Sequence, residues 1–183
     1  KGKSLKHSTV SLFSGGLDSF IGAVNALSSG EGLILVGHYH DKSVTKLVQR
    51  KVFKPLMKYF SPDQVNLLQI YICPPKALTG IQESSSRSRS FLFLSLGILV
   101  ASALGENARL IVPENGFIGL NVPLTGTRLG SLSTRTTHPH TLHLFQAIIA
   151  ELGIQVPIDT PYRFLTKGEM LEQTKNRAFV EKY

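Results

Sequence analysis

The chain has 183 residues, 42% apolar and 17% charged, with 16 Gly and 9 Pro in no repeating period. That length and apolar content support one domain with its own core. They exclude a disordered, collagen-like or solenoid chain. The net charge of +8 favours phosphate-bearing partners, nucleotide or nucleic acid, without choosing among them. A single cysteine, Cys73, makes no internal disulfide and cannot hold zinc alone, so a reducing, cytoplasmic setting is the expectation. Residues 1–10 are basic but lead into no signal-type apolar stretch. The longest apolar segment, 91–104, is too short to span a bilayer and is interrupted by Ser95, Gly97 and Ser102, so no membrane partner is expected.

In chain order, residues 8–13 read as a β-rich run, a Gly-rich turn follows, and an apolar helical pattern covers 18–27. Residues 32–39 form a continuous apolar run, as in a strand buried on both faces. Residues 43–60 read as a helix with Val44, Leu47, Val48, Val52, Leu56 and Phe60 inward, which Pro55 should kink or split. A third strand covers 65–72 and ends at Cys73-Pro74-Pro75. The Ser- and Arg-rich stretch 79–90 is expected to be a mobile loop, and 91–104 a buried helix closed by Gly105. A short fourth strand covers 109–112. The Gly/Thr/Leu stretch 113–137 is expected to be a mobile loop, of a length usually functional or disordered. An amphipathic helix follows over 138–152, with Pro139 near its start, Gly153 after its end, and Leu142, Phe145, Ile148, Ile149 and Leu152 inward. A last helix covers 166–174, where Thr166 and Glu169 have capping-box spacing. Alternating strands and helices predict a single α/β domain over 1–183, a parallel sheet with helices on both faces. In such sheets the ligand site lies at the strand tips, here those of the first, second and fourth strands.

Ser14-Gly15-Gly16-Leu17-Asp18-Ser19 joins the first strand to the first helix. Two glycines permit a tight turn and bring bare N–H groups close to a ligand. The opening of the helix aims unpaired amides and the positive dipole end at the same point. With the hydroxyls of Ser14 and Ser19 this makes a cradle for phosphate or pyrophosphate. Asp18 is foreign to a pure anion site and makes sense if it holds Mg²⁺ bridging phosphate oxygens. The plain alternative is a strand–turn–helix joint capped by Ser. There is no Gly-Lys-Ser/Thr sequence and no G-x-G-x-x-G, so Walker-type and dinucleotide cradles are disfavoured.

The hexapeptide resembles the PP-loop of the N-type ATP pyrophosphatases, whose fold is an adenine nucleotide alpha hydrolase-like, Rossmann-like sandwich. Arg87-Ser88-Arg89-Ser90 running into FLFLSLG resembles the G-R-N-x-x-F-L-x-L-A stretch of the QueC-like 7-cyano-7-deazaguanine synthases, with Ser90 where Asn is usual. Thr160-Pro161 through Lys167-Gly168-Glu169 resembles their late T-P-x-x-x-x-x-K-x-E element. Glu114-Asn115-Gly116 and the run 133–139 bring the chain nearest to the QatC type of anti-phage defence proteins. Where those synthases carry D-Y-G-Q-R-H, this chain has Gly37-His38-Tyr39-His40-Asp41.

The resemblance implies an ATP- and Mg²⁺-dependent enzyme that adenylates 7-carboxy-7-deazaguanine or a related deazapurine carboxylate and releases pyrophosphate. It implies ATP binding by Ser14, Gly15, Gly16, Leu17, Asp18 and Ser19, with His38 beside them. Catalytic roles fall on Asp18, Ser19, Lys167 and Arg89, with Asp18 meeting Mg²⁺ through ATP. Substrate contact falls on Glu114, Asn115, Arg135, Thr137 and His138. An acceptor amine on nucleic acid or protein, and partner proteins of a defence complex, are further implications. The family's structural Zn²⁺ sits in a four-cysteine cluster, which a chain with one Cys does not supply.

Each residue also has a plainer reading. Lys167 could be a solvated surface lysine, and Arg89 or Arg135 ordinary loop residues. A cation at a helix start is nevertheless disfavoured unless an anion is near. His138, His140 and His143 lack a neighbouring carboxylate or Cys for zinc, and the last two suit a solvated helix face. Lys42, Lys46, Arg50, Lys54 and Lys58 form a basic stripe that could follow a nucleic-acid backbone, but no aromatics interleave for base stacking. Two rivals stay open: a PP-loop enzyme modifying RNA or nucleotides, and a nucleotide-binding subunit of a defence complex without chemistry.

Overall fold

The computed structural model describes residues 8–40, 44–73, 89–120 and 137–183. Arg135, Lys42, residues 79–88 of the first expected loop and 121–136 of the second lie outside them.

Five strands, β1 (Thr9–Leu12), β2 (Leu33–Tyr39), β3 (Val65–Tyr71), β4 (Arg109–Ile111) and β5 (Ile158–Asp159), form one sheet in the order β3-β2-β1-β4-β5. Every pairing is parallel. The helices are α1 (Leu17–Ser28), α2 (Val44–Tyr59), α3 (Arg89–Leu104), α4 (Gly116–Leu120), α5 (Pro139–Glu151), α6 (Lys167–Glu172) and α7 (Arg177–Lys182).

The period-2 pleat divides the core in two. Leu33 and Leu35 of β2 join Phe20, Ile21 and Val24 of α1, Leu56 of α2, Met170 of α6 and Phe179 of α7. Val36 of β2 and Val10 and Leu12 of β1 instead join Leu94 and Ile98 of α3 and Phe145 and Ile149 of α5. The chain is thus an α/β, Rossmann-like sandwich with helices on both faces. Its order reverses at β1, which lies between β2 and β4, and ligands bind at such a switch point. Among the described residues no helix is long and apolar enough to cross a membrane.

Several sequence expectations need correction. Residues 113–120 are not all loop, because α4 forms there. Arg89 and Ser90 belong to α3 rather than to the loop before it. Pro55 does not split α2, which is one helix. In the first half of α2 the buried side chain is Gln49, at 0% exposure, while Val44 and Leu47 are about 70% exposed, at 71% and 68%. The reason is Gly37. A Cβ there would lie 2.5 Å from Gln49 Oε1. The bare backbone therefore admits the Gln49 carboxamide, which donates to the His38 carbonyl (3.2 Å) and accepts from Gln69 Nε2 (2.9 Å). In α5, Phe145 and Ile149 are buried, but Ile148 and Leu152 are exposed. At 100° per residue Ile148 stands a quarter-turn off the buried stripe.

Candidate functional site

β1 leads into Phe13, which is fully buried and whose amide donates to the Val36 carbonyl at 2.8 Å. The chain then surfaces, with Ser14, Gly16 and Leu17 exposed. Gly15 takes φ +84°, and a Cβ there would sit 3.1 Å from Val48 Cγ1 and 3.2 Å from the Gln49 amide nitrogen. Both the left-handed backbone and the close approach of α2 demand glycine. Gly15→Ala is expected to destabilise the chain by about 1–2 kcal/mol, read as a lower urea midpoint.

Gly16 is the N-cap of α1 but offers no side-chain cap, and the amides of Leu17, Asp18 and Ser19 have no intrahelical partners. The two hydroxyls hold the loop instead. Ser19 Oγ donates to the Gly16 carbonyl (2.8 Å) and accepts from the Gly15 amide (3.2 Å), while Ser14 Oγ accepts from the Gly16 amide (3.3 Å). The two amide bonds are long for N–H···O.

Asp18 is 7% exposed. Its Oδ2 accepts from Asn115 Nδ2 (2.5 Å) and from the Asn115 amide (3.3 Å). Its Oδ1 is buried and accepts no hydrogen bond among the described residues. It lies 3.2 Å from the Lys167 ammonium, an ion pair without hydrogen-bond geometry. Lys167 opens α6 directly after Thr166, where the expected capping box forms. Thr166 Oγ1 accepts from the Glu169 amide (3.3 Å), and Glu169 Oε2 accepts from the Thr166 amide (2.7 Å). That backbone hydrogen bond, with a second from the Thr166 hydroxyl, holds the Glu169 carboxyl below its ordinary value. The cap thus fixes the start of α6, where Asp18 supplies the anion a cation at this position needs.

Ser14, Gly16, Asp18, Ser19, Glu114 and Lys167 line a cleft of about 180 Å³, with Leu12, Phe93 and Ile118 as its apolar walls. Thr160 and Arg163 instead line a smaller recess around Glu114, Asn115 and Thr137. Thr137 Oγ1 donates to Glu114 Oε2 at 2.7 Å, so these two residues meet as a pair.

Other expected site residues fall elsewhere. Arg89 stands exposed in the first turn of α3 and does not line the cleft; Phe93, one turn on, does. His38 is 6% exposed, and its Nε2 donates to the Ile72 carbonyl at 3.0 Å, tying β2 to the end of β3. His138 is the N-cap of α5, its Nδ1 accepting from the His140 amide at 3.2 Å. Asn115 is buried, with both ends of its carboxamide engaged. Phe93 and Ile118 join the site without a chemical motif in the sequence; the i+4 spacing from Arg89 points to Phe93, and nothing local points to Ile118. His140 and His143 are exposed, and no group of three or more His, Cys, Asp or Glu is placed to hold a metal among the described residues.

A larger groove of about 660 Å³ runs along α1 from Gly22 to Ser29, past Arg109, Asp159 and Tyr162. Arg109 there reaches both Glu31 and Asp159 at 2.6 Å. It holds no residue of the 14–19 loop, so the smaller cleft is the candidate site.

The residues fit Mg²⁺ carried by a nucleotide. Such a cation takes one or two carboxylates and completes its shell with phosphate and water. Asp18 Oδ1 is a buried oxygen without a hydrogen-bond donor, beside the loop amides. No protein-family model matches this sequence, and no curated protein matches it.

Proposed function

We propose that the cleft seats the triphosphate of ATP with Mg²⁺, and that the chain adenylates a deazapurine carboxylate such as 7-carboxy-7-deazaguanine, releasing pyrophosphate. The observation that carries this reading is the meeting, at the switch point of the sheet, of an uncapped helix N-terminus, a buried carboxylate with one oxygen accepting no hydrogen bond, and a lysine. Those are the parts that phosphoryl chemistry needs, because catalysis there is mainly positioning and charge stabilisation.

A carboxylate is a poor electrophile, and AMP makes it a good one. The acid oxygen attacks the α-phosphorus, the bond from that phosphorus to the bridging oxygen breaks, and pyrophosphate leaves with the electron pair. The amides of residues 17–19 and the two serine hydroxyls bind the departing phosphates, and the amides of Gly15 and Gly16 exchange their long internal bonds for the same strong acceptors. Lys167 turns from Asp18 toward the same oxygens. Mg²⁺, when bound, neutralises charge that builds on the phosphates. At about 180 Å³ the cleft is smaller than the 300–1,000 Å³ usual for whole drug-sized ligands, so it suits the phosphate tail and leaves base and acid outside it.

A nucleic-acid acceptor held by α2 has weaker support. Lys46 sits over the Tyr39 ring at 4.5 Å and Arg50 donates to Gln69 at 2.8 Å, so two cations of the stripe are engaged within the protein.

Incubation with ATP, Mg²⁺ and 7-carboxy-7-deazaguanine is expected to release AMP and pyrophosphate in step with loss of the acid. ADP and phosphate as products would rule out adenylation. Nucleotide binding without turnover would favour a subunit that has lost its chemistry.

A further inference from the structure

We infer that Asn115 is a positioning residue that divides the two oxygens of Asp18 between the fold and the cleft. The inference rests on the proposed Mg²⁺–ATP reading and departs from the substrate contact that the sequence resemblance implied for this residue.

Asn115 is 3% exposed and sits between β4 and α4. Its Nδ2 and its backbone amide both point at Asp18 Oδ2, at 2.5 and 3.3 Å. Its Oδ1 accepts from the amides of Phe117 (3.0 Å) and Ile118 (3.2 Å), capping α4. No capacity is left over on its carbonyl side for a substrate, and one donor is committed to Asp18.

The consequence lies at Asp18. The terminal torsion of a carboxylate is broad and two-fold, so an untethered Asp18 could offer either oxygen or both. With Oδ2 holding two donors, only Oδ1 remains, buried and 3.2 Å from the Lys167 ammonium. One residue thereby fixes the orientation of the carboxylate. It also ties that orientation to α4, whose Ile118 forms a wall of the same cleft. Outer partners that orient a ligating carboxylate in this way typically contribute about 10–100-fold in metal affinity.

Asn115→Asp separates this role from simple charge. The variant keeps an oxygen to cap α4, loses the donor to Asp18, and adds a second carboxylate. On charge alone it should hold a divalent cation more tightly; as a loss of positioning it should hold it more loosely. The probe is Mn²⁺ with α,β-methylene-ATP, followed by the electron paramagnetic resonance signal of free Mn²⁺, with thermal melting run alongside. Asn115→Ala is the second variant, without the added charge. We expect the wild type to take up Mn²⁺ with the nucleotide analogue, and both variants to bind the metal at least about tenfold more weakly. Wild-type-like or tighter Mn²⁺ binding by Asn115→Asp overturns the inference and leaves the nucleotide reading standing. Failure of the wild type to take up Mn²⁺ with the analogue sinks that reading, and the inference with it.

Discussion

Asp18→Asn is expected to cut ATP-dependent pyrophosphate release by at least about 100-fold while the protein stays as stable as before or becomes slightly more so. The two effects separate because the residue is nearly isosteric with Asn. A carboxamide oxygen at the Oδ2 position still accepts from the Asn115 side chain and amide. What disappears is the charge. A buried carboxylate oxygen without a hydrogen-bond donor is costly to keep. Its charge partner, Lys167, is 54% exposed at the side chain and returns to water at little cost. Loss of turnover with an unchanged melt is the signature of a group held for chemistry. Retained turnover would remove Asp18 from the mechanism. A melt lowered by more than about 10 °C would make it a structural residue, since about 2–4 °C corresponds to 1 kcal/mol at this size.

Phe13→Ala is expected to cost about 3–5 kcal/mol, the largest stability effect of a single substitution near the site. Phe13 is fully buried in the core shared by α1, β2, α2, α6 and α7. A ring deleted there leaves a cavity that neighbours from five elements cannot all collapse to fill. The urea midpoint, at unchanged slope, measures the loss. Phe13 is also the root of the 14–19 loop, one residue before Ser14. Nucleotide binding is therefore expected to weaken even where the variant is folded. A variant that loses stability but binds Mn²⁺ and α,β-methylene-ATP as before would show that the loop is held by its own hydrogen bonds, and not by its root.

Where a pattern was local, it could be read. The apolar run at 32–39 became β2 and the capping box at Thr166 formed as its spacing required. The hexapeptide at 14–19 does join a strand to a helix, with Gly15 in the left-handed conformation that its type permits. Short elements escaped notice. The two residues of β5 and the five of α4 are too few for a period to repeat, and α7 is only six residues long. The buried Gln49 inverted the polarity expected for α2, because its partner is an absence, the missing side chain of Gly37. No sequence signal ties Asn115 to Asp18, since 97 residues separate them.

By itself, then, the sequence determined the α/β class, the order of its larger elements, and a glycine- and serine-rich turn between the first strand and the first helix. Those features follow from interactions within a few residues: hydrophobic period, caps and the backbone freedom of glycine. Tertiary structure alone decided that β1 lies between β2 and β4 at the reversal of the sheet. It also decided that Lys167 and Asn115 arrive on opposite oxygens of Asp18, and that His38 and His138 each engage a backbone group through one ring nitrogen. A carboxylate's two oxygens are chemically equal in the chain. They become different only when packing brings a donor to one and leaves the other without a hydrogen bond.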